Sequence, residues 1–599
     1  MRLIFDLESN GLLDTMDTIH CISICDLDQD GELYEFRPHQ IDEAVKMLSR
    51  ADELMGHNIL TFDIPAIQLL YPEFKPKGKI MDTLVTARFM YPDIKGQDFD
   101  RFRNGTMPGK LIGRHSLEAW GYRLGVLKGE FGDTTDWVEF TEEMMTYCSR
   151  DVNVTYQLYD YLVNSWDGIP KEASQIEHQV TSIIDKQESY GFLFDVQKAE
   201  KLYIQLQAER EEVRETLADA GFTSFYKPGK EFIPKRDNAR LHYTAGCAMT
   251  KIKLVDFNPD SRDHIIYWLK KKYNWIPEEF TDATNPKPKV SEKILEALPY
   301  PSAAPLVKNF MLSKRLGMLA DGNEGWLKKV QKDGRLHGRV HTNGTCTGRM
   351  SHSNPNVGQV TSVDKPYGKE CRELFCVPRG HKLVGVDASG LEGRCLSHFI
   401  IPFGGKEYAD VVLGGDIHDL NRKLLGLPEG KHYRSMAKTW FYATMYGAGQ
   451  KKVQVILKCS SREAKKKLDG FWAAVPSIKR LQDAILTANR NRGHIKGLDG
   501  RPLQIRSSHA ALNTLLQSAG AVIMKKALCL LDDSFKAEGI PAHFVANIHD
   551  EFQIEVEEEY AERVKELGIK AIVDAGLYFK LNVPLDGDGN IGNNWKETH

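Results

Sequence analysis

The chain lacks several things that would settle its class at once. No run of about 18 consecutive apolar residues occurs, so no segment reads as a membrane span. Its ten cysteines include no CxxC pair and no histidine partner at zinc-ligand spacing. Cys21 and Cys25, in CISIC, have apolar neighbours and read as buried thiols, and a disulfide framework is not expected. The opening MRLIFDLESNG carries Asp6 and Glu8 where a signal peptide would be basic and then apolar, so cytoplasmic or nuclear residence is expected. The net charge, −3, has no strong sign and alone says nothing about nucleic acid.

What is present is enough material for several domains: 599 residues, 42% of them hydrophobic, support more than one core. The charge is unevenly spread. Residues 1–165 hold 28 acids against 16 Lys or Arg, a local charge of −12; with −3 overall, the remainder carries +9. An acidic front suits metal ions and a basic rear suits a polyanion, although two soluble domains with different surfaces would read the same way.

The acids of the front are ordered. RLIFDLESNGL begins with a strand-like run, Leu3 to Phe5, and places Asp6 and Glu8 two apart, on one face of a strand. Two carboxylates on one face repel unless a cation or proton intervenes. HNILTFDIP then supplies Asp63, preceded by Asn58 and Phe62. YCSRDVNVTYQLYDYL is helical in spacing, with Tyr147 and Asp151 at i and i+4 on one face. In this order the set resembles the three motifs of the DEDD 3′–5′ exonucleases, in the variant with tyrosine four residues before the last Asp. The resemblance implies an RNase H-like fold, two Mg²⁺ ions held by Asp6, Glu8, Asp63 and Asp151, and a Tyr147 hydroxyl that orients the attacking water.

From Gln175 the apolar spacing is helical, with Gly191 and Gly221 as stops. Residues 223–255, with two prolines, two glycines and several basic residues, read as a loop or small irregular subdomain. Helical pattern resumes at SRDHIIYWLKKKY, after Asp260 or Ser261 as cap, and continues through LVKNFMLSKRLGMLADGNEGWLKKVQ. There Lys314, Arg315, Lys328 and Lys329 face either phosphates or solvent.

The rear holds three further motifs. HKLVGVDASGLEGR has a strand-like run, Leu383 to Val386, ending in Asp387. NIHDEFQIEV places Asp550 and Glu551 at the tip of a predicted hairpin, beside His549. Two acids brought together in this way would serve two Mg²⁺ ions, one at an attacking hydroxyl and one on a triphosphate. YRSMAKTWFYATMYGAG reads as a helix from about His432, with Arg434, Lys438 and Tyr442 in one stripe: two cations for phosphates and a ring for a base.

With these residues the sequence resembles the family A DNA polymerases, and within them the replicative enzymes of short-tailed T-odd bacteriophages. VDASGLEGR matches the first palm motif, RSMAKTWFYATMYG the fingers helix and IHDE the second palm motif; GLDGRPLQIRSSHAALNTLLQSAGA, TGRMSHSNPNVGQV and DGNIGNNW point to the phage branch. The resemblance spans the chain. It implies an α/β multidomain architecture: an RNase H-like exonuclease domain over 1–168, a helical thumb over 174–336, a palm on an antiparallel sheet over 337–415 and 509–599, and helical fingers over 416–508.

The same resemblance implies roles. Asp387 and Asp550 bind two Mg²⁺ ions, with Mn²⁺ as a substitute, and Glu551 supports them. Arg434, Lys438 and His418 hold the dNTP triphosphate, and Lys438 is the candidate proton donor to pyrophosphate. Tyr442 packs on sugar and base, and Glu392 is the steric gate against a 2′-hydroxyl. Arg349, Gln517 and His549 contact the primer–template. The implied partners are primer–template DNA, dNTPs and a replicative helicase–primase, in the cytoplasm of an infected bacterial host. The segment between Phe194 and Phe257 is too short for a full thioredoxin-binding insertion, so thioredoxin is not expected. With no 5′-nuclease motif ahead of the exonuclease motifs in this sequence, a complete repair-type polymerase is not expected. A single-subunit RNA polymerase shares the palm logic, but the exonuclease front and Glu392 argue against it.

Overall fold

Leu3, Ile4 and Phe5 are fully buried, and from Asp6 onward half-buried acids alternate with buried Leu7 and Ser9. That alternation makes β1 (Arg2–Ser9) an inner strand with one acidic edge. It pairs antiparallel with β2 (Ile19–Asp26), which pairs with β3 (Glu32–Phe36), and parallel with β4 (Glu53–Gly56), which pairs with β5 (Lys79–Asp82). The sheet order is β3-β2-β1-β4-β5. The helix Glu142–Val163, capped by the Thr141 side chain on the Met144 amide, packs on β1 and β2.

The computed structural model describes residues 1–126, 136–282, 284–445 and 448–599. They fall into two units, 1–193 with 337–360 and 375–599, and 194–336 with 361–374. The helix Lys171–Tyr190 belongs to the first and ends at Gly191, whose φ of 70° suits a residue without Cβ.

In the first unit a second sheet is antiparallel throughout: β7 (His543–Ile548), β8 (Glu551–Glu557), β6 (His381–Ala388) and β9 (Gly587–Gly592), in that order. The helix Ala561–Tyr578 packs on β6 so closely that a Cβ on Gly568 would lie 2.7 Å from Val386 Cγ2. The helix Ala511–Glu538 is long and apolar enough to cross a membrane, but 83% of its apolar window is buried inside the protein, so it reads as a core helix. Among the described residues it is the one helix of that kind. The helix Lys431–Met445 begins one residue before the expected start; Tyr446 and Gly447, the end of that predicted helix, lie outside the described residues.

The second unit is built on the helices Val196–Asp219, Arg262–Tyr273 and Ala303–Leu316. Of the two candidate caps, Ser261 is the one used, on the His264 amide. Residues 223–255 differ from the expected irregular segment: Phe225–Phe232 and Met249–Val255 pair antiparallel. Pro228 hid the pattern because it sits where the register shifts, a place that tolerates its missing amide. The long helical run expected near 306–331 is also broken, by a π-helical turn at Gly317–Asp321 before the short helix Trp326–Lys329. Lys314 pairs with Glu292 at 2.7 Å and Lys328 donates to the Gly322 carbonyl at 3.0 Å, so both have partners within the protein.

Candidate active sites

The front sheet brings its acids to one end. Ligand atoms of Asp6, Glu8 and Cys148 lie within 4.8 Å of one another, and the Cys148 thiol donates to the Asp6 carbonyl at 3.3 Å. Tyr147 and Asp151 are buried on the helix that carries Cys148. Asp63, the first residue of the helix Asp63–Leu70, is buried and accepts the Leu7 amide at 3.2 Å, which ties it to β1 between Asp6 and Glu8. Burial, and then the charges of Asp82 and Asp151, push its carboxyl up to about 7. A buried carboxyl that resists ionisation beside other acids is what oxygen-seeking divalent ions stabilise, so this donor set fits them.

Sequence reasoning missed Asp82. It ends β5, caps the helix Thr83–Met90 through the Leu84 amide at 2.8 Å, and accepts the Asn58 and Leu60 amides at 3.0 and 3.2 Å. It thereby fixes the turn that leads into Asp63. The signal was available: an Asp between an apolar run and a helical pattern is a cap. Next to this turn is a polar cavity of about 290 Å³ whose lining includes Asn58, Phe62, Arg88, Asp185, Arg339 and His341.

In the rear sheet Asp387 and Glu551 are direct cross-strand partners, and the Ala388 amide donates to the Asp550 carbonyl at 3.0 Å. His549 and Asp550 form the turn between β7 and β8, with His549 at φ 58°, a region where histidine is enriched among non-glycine residues. Desolvation, then the charges of Asp550, Glu551 and Asp588, push Asp387 up to about 7. Asp550 is raised by burial and lowered by His549 and Arg349. This site too is short of positive charge, and its acids fit divalent ions.

Glu551 is held differently. It is buried and accepts from Gln553 Nε2 at 2.5 Å and from Trp595 Nε1 at 2.6 Å, and His599 Nδ1 lies 3.5 Å away. Trp595, Gln553, His599 and Asp588, which stands opposite Asp387 on β9, were not singled out from the sequence. Asp588 and Trp595 open and close the stretch DGNIGNNW, quoted above without a role for either, and His599 carries no local pattern that would have marked it.

On the helix Lys431–Met445, Arg434 and Lys438 are exposed and Tyr442 is half-buried, in the expected stripe. Burial and the charges of Lys438 and Arg434 lower the His418 pKa, so the three groups share one field. The His418 and Tyr442 rings are 6.0 Å apart. Tyr442 is raised by burial and by Glu392, and Glu392 accepts from Arg349 Nη2 at 3.1 Å. Gln517 is half-buried on the helix Ala511–Glu538. All these residues lie in the first unit.

An acid pair on an antiparallel sheet and a helix with a cationic stripe in the same unit define a class that comparison with known proteins also identifies. The sequence profile of DNA polymerase family A matches residues 236–597. The chain belongs to that family. It is 34% identical to the DNA-directed DNA polymerase of Enterobacteria phage T3 and 34% identical to that of Escherichia phage T7, in each case over all of both chains. DNA polymerase I of Pseudomonas aeruginosa is 25% identical over 76% of this chain and 48% of its own length. Among solved structures, the POL domain of Pol1 from M. smegmatis, in complex with DNA primer-template and dNTP, shares the fold with a TM-score of 0.73 at 17% identity, covering 100% of this chain and 96% of its own.

Proposed function

We infer that this chain is a template-directed DNA polymerase of a T7-like phage, with a 3′–5′ exonuclease that edits the primer. One observation carries the synthetic half: the backbone bond from Ala388 to Asp550 holds Asp387 beside the acidic turn, so two distant acids form one site.

In this reading Asp387 and Asp550 hold two Mg²⁺ ions, for which Mn²⁺ substitutes. When bound, such ions activate the primer 3′-hydroxyl and neutralise charge on the phosphates. Arg434, Lys438 and His418 hold the triphosphate of the incoming dNTP in line with that hydroxyl. Lys438 supplies a proton to the departing pyrophosphate. Tyr442 packs on the nucleotide, and Glu392, which faces it, excludes a 2′-hydroxyl. Arg349, Gln517 and His549 touch the minor groove, whose similar acceptors on every pair let them test pair shape without reading sequence. Glu551, fixed by Gln553 and Trp595, keeps the turn in place.

Asp6, Glu8, Asp63 and Asp151 serve as ligands for the front ions, and Tyr147 orients water toward the terminal phosphodiester. The domain assignment is 1–168 exonuclease, 174–336 thumb, 337–415 and 509–599 palm, and 416–508 fingers. The short hairpin at 223–255 is read as a reduced insertion, so added thioredoxin is not expected to lengthen products. A replicative helicase–primase is the implied partner, in the cytoplasm of an infected bacterium.

Primer extension by wild type and by Asp550→Ala tests the central claim. Extension only by wild type supports it, and equal extension by both overturns it.

A further inference from the structure

A cluster of charged side chains that none of the steps above uses lies wholly inside the first unit. Glu177, Asp499, Arg501 and Lys525 have side chains at most 2% exposed. Lys525 Nζ donates to both Glu177 oxygens at 2.6 and 2.8 Å, and Arg501 Nη2 reaches the same carboxylate at 2.5 Å. Arg501 also forks onto Asp499, with Nε at 2.9 Å and Nη2 at 2.6 Å from Oδ2. Two anions and two cations balance, which is the condition for burying them.

The fifth member is neutral. Asn343 donates Nδ2 to Glu177 Oε2 at 2.6 Å, and its Oδ1 accepts from Arg501 and Lys525, each at 3.2 Å. Asn343 sits at one end of the loop between the paired strands Arg339–His341 and Ser351–Ser353. At the other end Gly348, at φ 78°, lies against Arg501 so closely that a Cβ would be 2.5 Å from Nη1. Arg349 follows, its amide bonded to the Thr345 hydroxyl at 3.0 Å. The cluster therefore grips both ends of the loop that presents Arg349.

Lys525, which bonds both Glu177 and Asn343, stands on the helix Ala511–Glu538. Lys525 also lines a cavity of about 30 Å³ together with Arg349, Asn547, His549 and Glu551. Buried ionic groups are best attested where they fix register rather than where they add stability.

We propose that the Glu177–Arg501–Lys525–Asn343 cluster is a positioning device that holds Arg349 in register, so that the primer-end pair is judged by shape. Glu177 is its keystone and Asn343 its link to the loop. The proposal rests on the polymerase reading given above and deepens it.

The test uses the full chain with matched and mismatched primer ends and single-nucleotide addition. Asn343→Ala cuts the link and leaves every buried charge paired, so it keeps the fold where Glu177→Gln risks losing it. The expected result is a mismatched-to-matched extension ratio raised about five- to tenfold by Asn343→Ala, with single-stranded DNA digestion unchanged. In an Arg349→Ala background the same substitution is expected to change the ratio no further. A merely structural role would shift melting and both rates together and would act equally with or without Arg349. That additive result, or an unchanged ratio, overturns the proposal. Equal extension by wild type and Asp550→Ala would instead overturn the polymerase reading itself.

Discussion

Arg434 Nε donates to Asp416 Oδ2 across 2.6 Å, so the residue expected to hold a triphosphate already holds a carboxylate. Asp416 also caps the helix Ile417–Leu424 by accepting the His418 and Asp419 amides. The Arg434 side chain holds the Asp416 carboxyl down at about 2, so it is ionised at any working pH. In the proposed reading, an incoming triphosphate competes with Asp416 for Arg434.

Asp416→Asn keeps an oxygen for the cap and removes the charge. Its expected effect is a KM for dNTP lowered a few-fold, with kcat little changed. Arg434→Ala is expected to raise KM on the order of 10- to 100-fold, the loss of one charged hydrogen bond. Steady-state single-nucleotide addition measures both.

The two acid sites are expected to be separable. Asp6→Ala with Glu8→Ala should reduce digestion of single-stranded DNA to background and leave matched primer extension within about twofold of wild type, because the acids act only through ions bound locally. Asp387→Ala should do the reverse. Loss of both activities in either variant would argue against two centres.

Ion binding at the rear site should depend on pH. Asp387 sits at about 7, its neutral form favoured by desolvation and by Asp550, Glu551 and Asp588. The carboxylate is the binding form, so affinity falls as pH drops through 7 and levels off above about 8. Mn²⁺ titration followed by electron paramagnetic resonance at pH 6, 7 and 8 should show weakening of up to about tenfold per unit below 7, and Asp387→Asn should abolish that slope.

Packing behind the rear acids gives a stability prediction. Gly568→Ala would push a methyl to 2.7 Å from Val386 Cγ2, one residue before Asp387. Overpacking of this kind costs about 1–3 kcal/mol. The expected outcome is a lowered melting temperature and slower extension, with digestion of single-stranded DNA unchanged.

Much of both sites was legible because it obeys local periods. Asp6 and Glu8 share a face through the two-residue strand repeat, and Tyr147 with Asp151, like Arg434 with Lys438, through the helical one. The acids of IHDE were read together at a hairpin tip, and the fold divides them: Asp550 stays in the turn, while Glu551 is the first paired residue of β8, buried against Gln553 and Trp595. Asp82 went unseen because its work is capping and loop-tying across the chain. Glu177 is bound to residues 324 and 348 positions away, and a charged side chain reads as surface until its partners are known.

The pairing of Asp387 with Glu551 makes the two segments intolerant of length change. Side chains alternate along a strand, so loss of a single codon between those for His381 and Asp387 would either turn the acid to the opposite face or force the whole ladder to slip. The exposed hairpin at 223–255 has no such bookkeeping to satisfy. Insertions and deletions among natural variants should therefore collect there and be missing from β6, and a library of random one-codon deletions selected for synthesis should show the same uneven map.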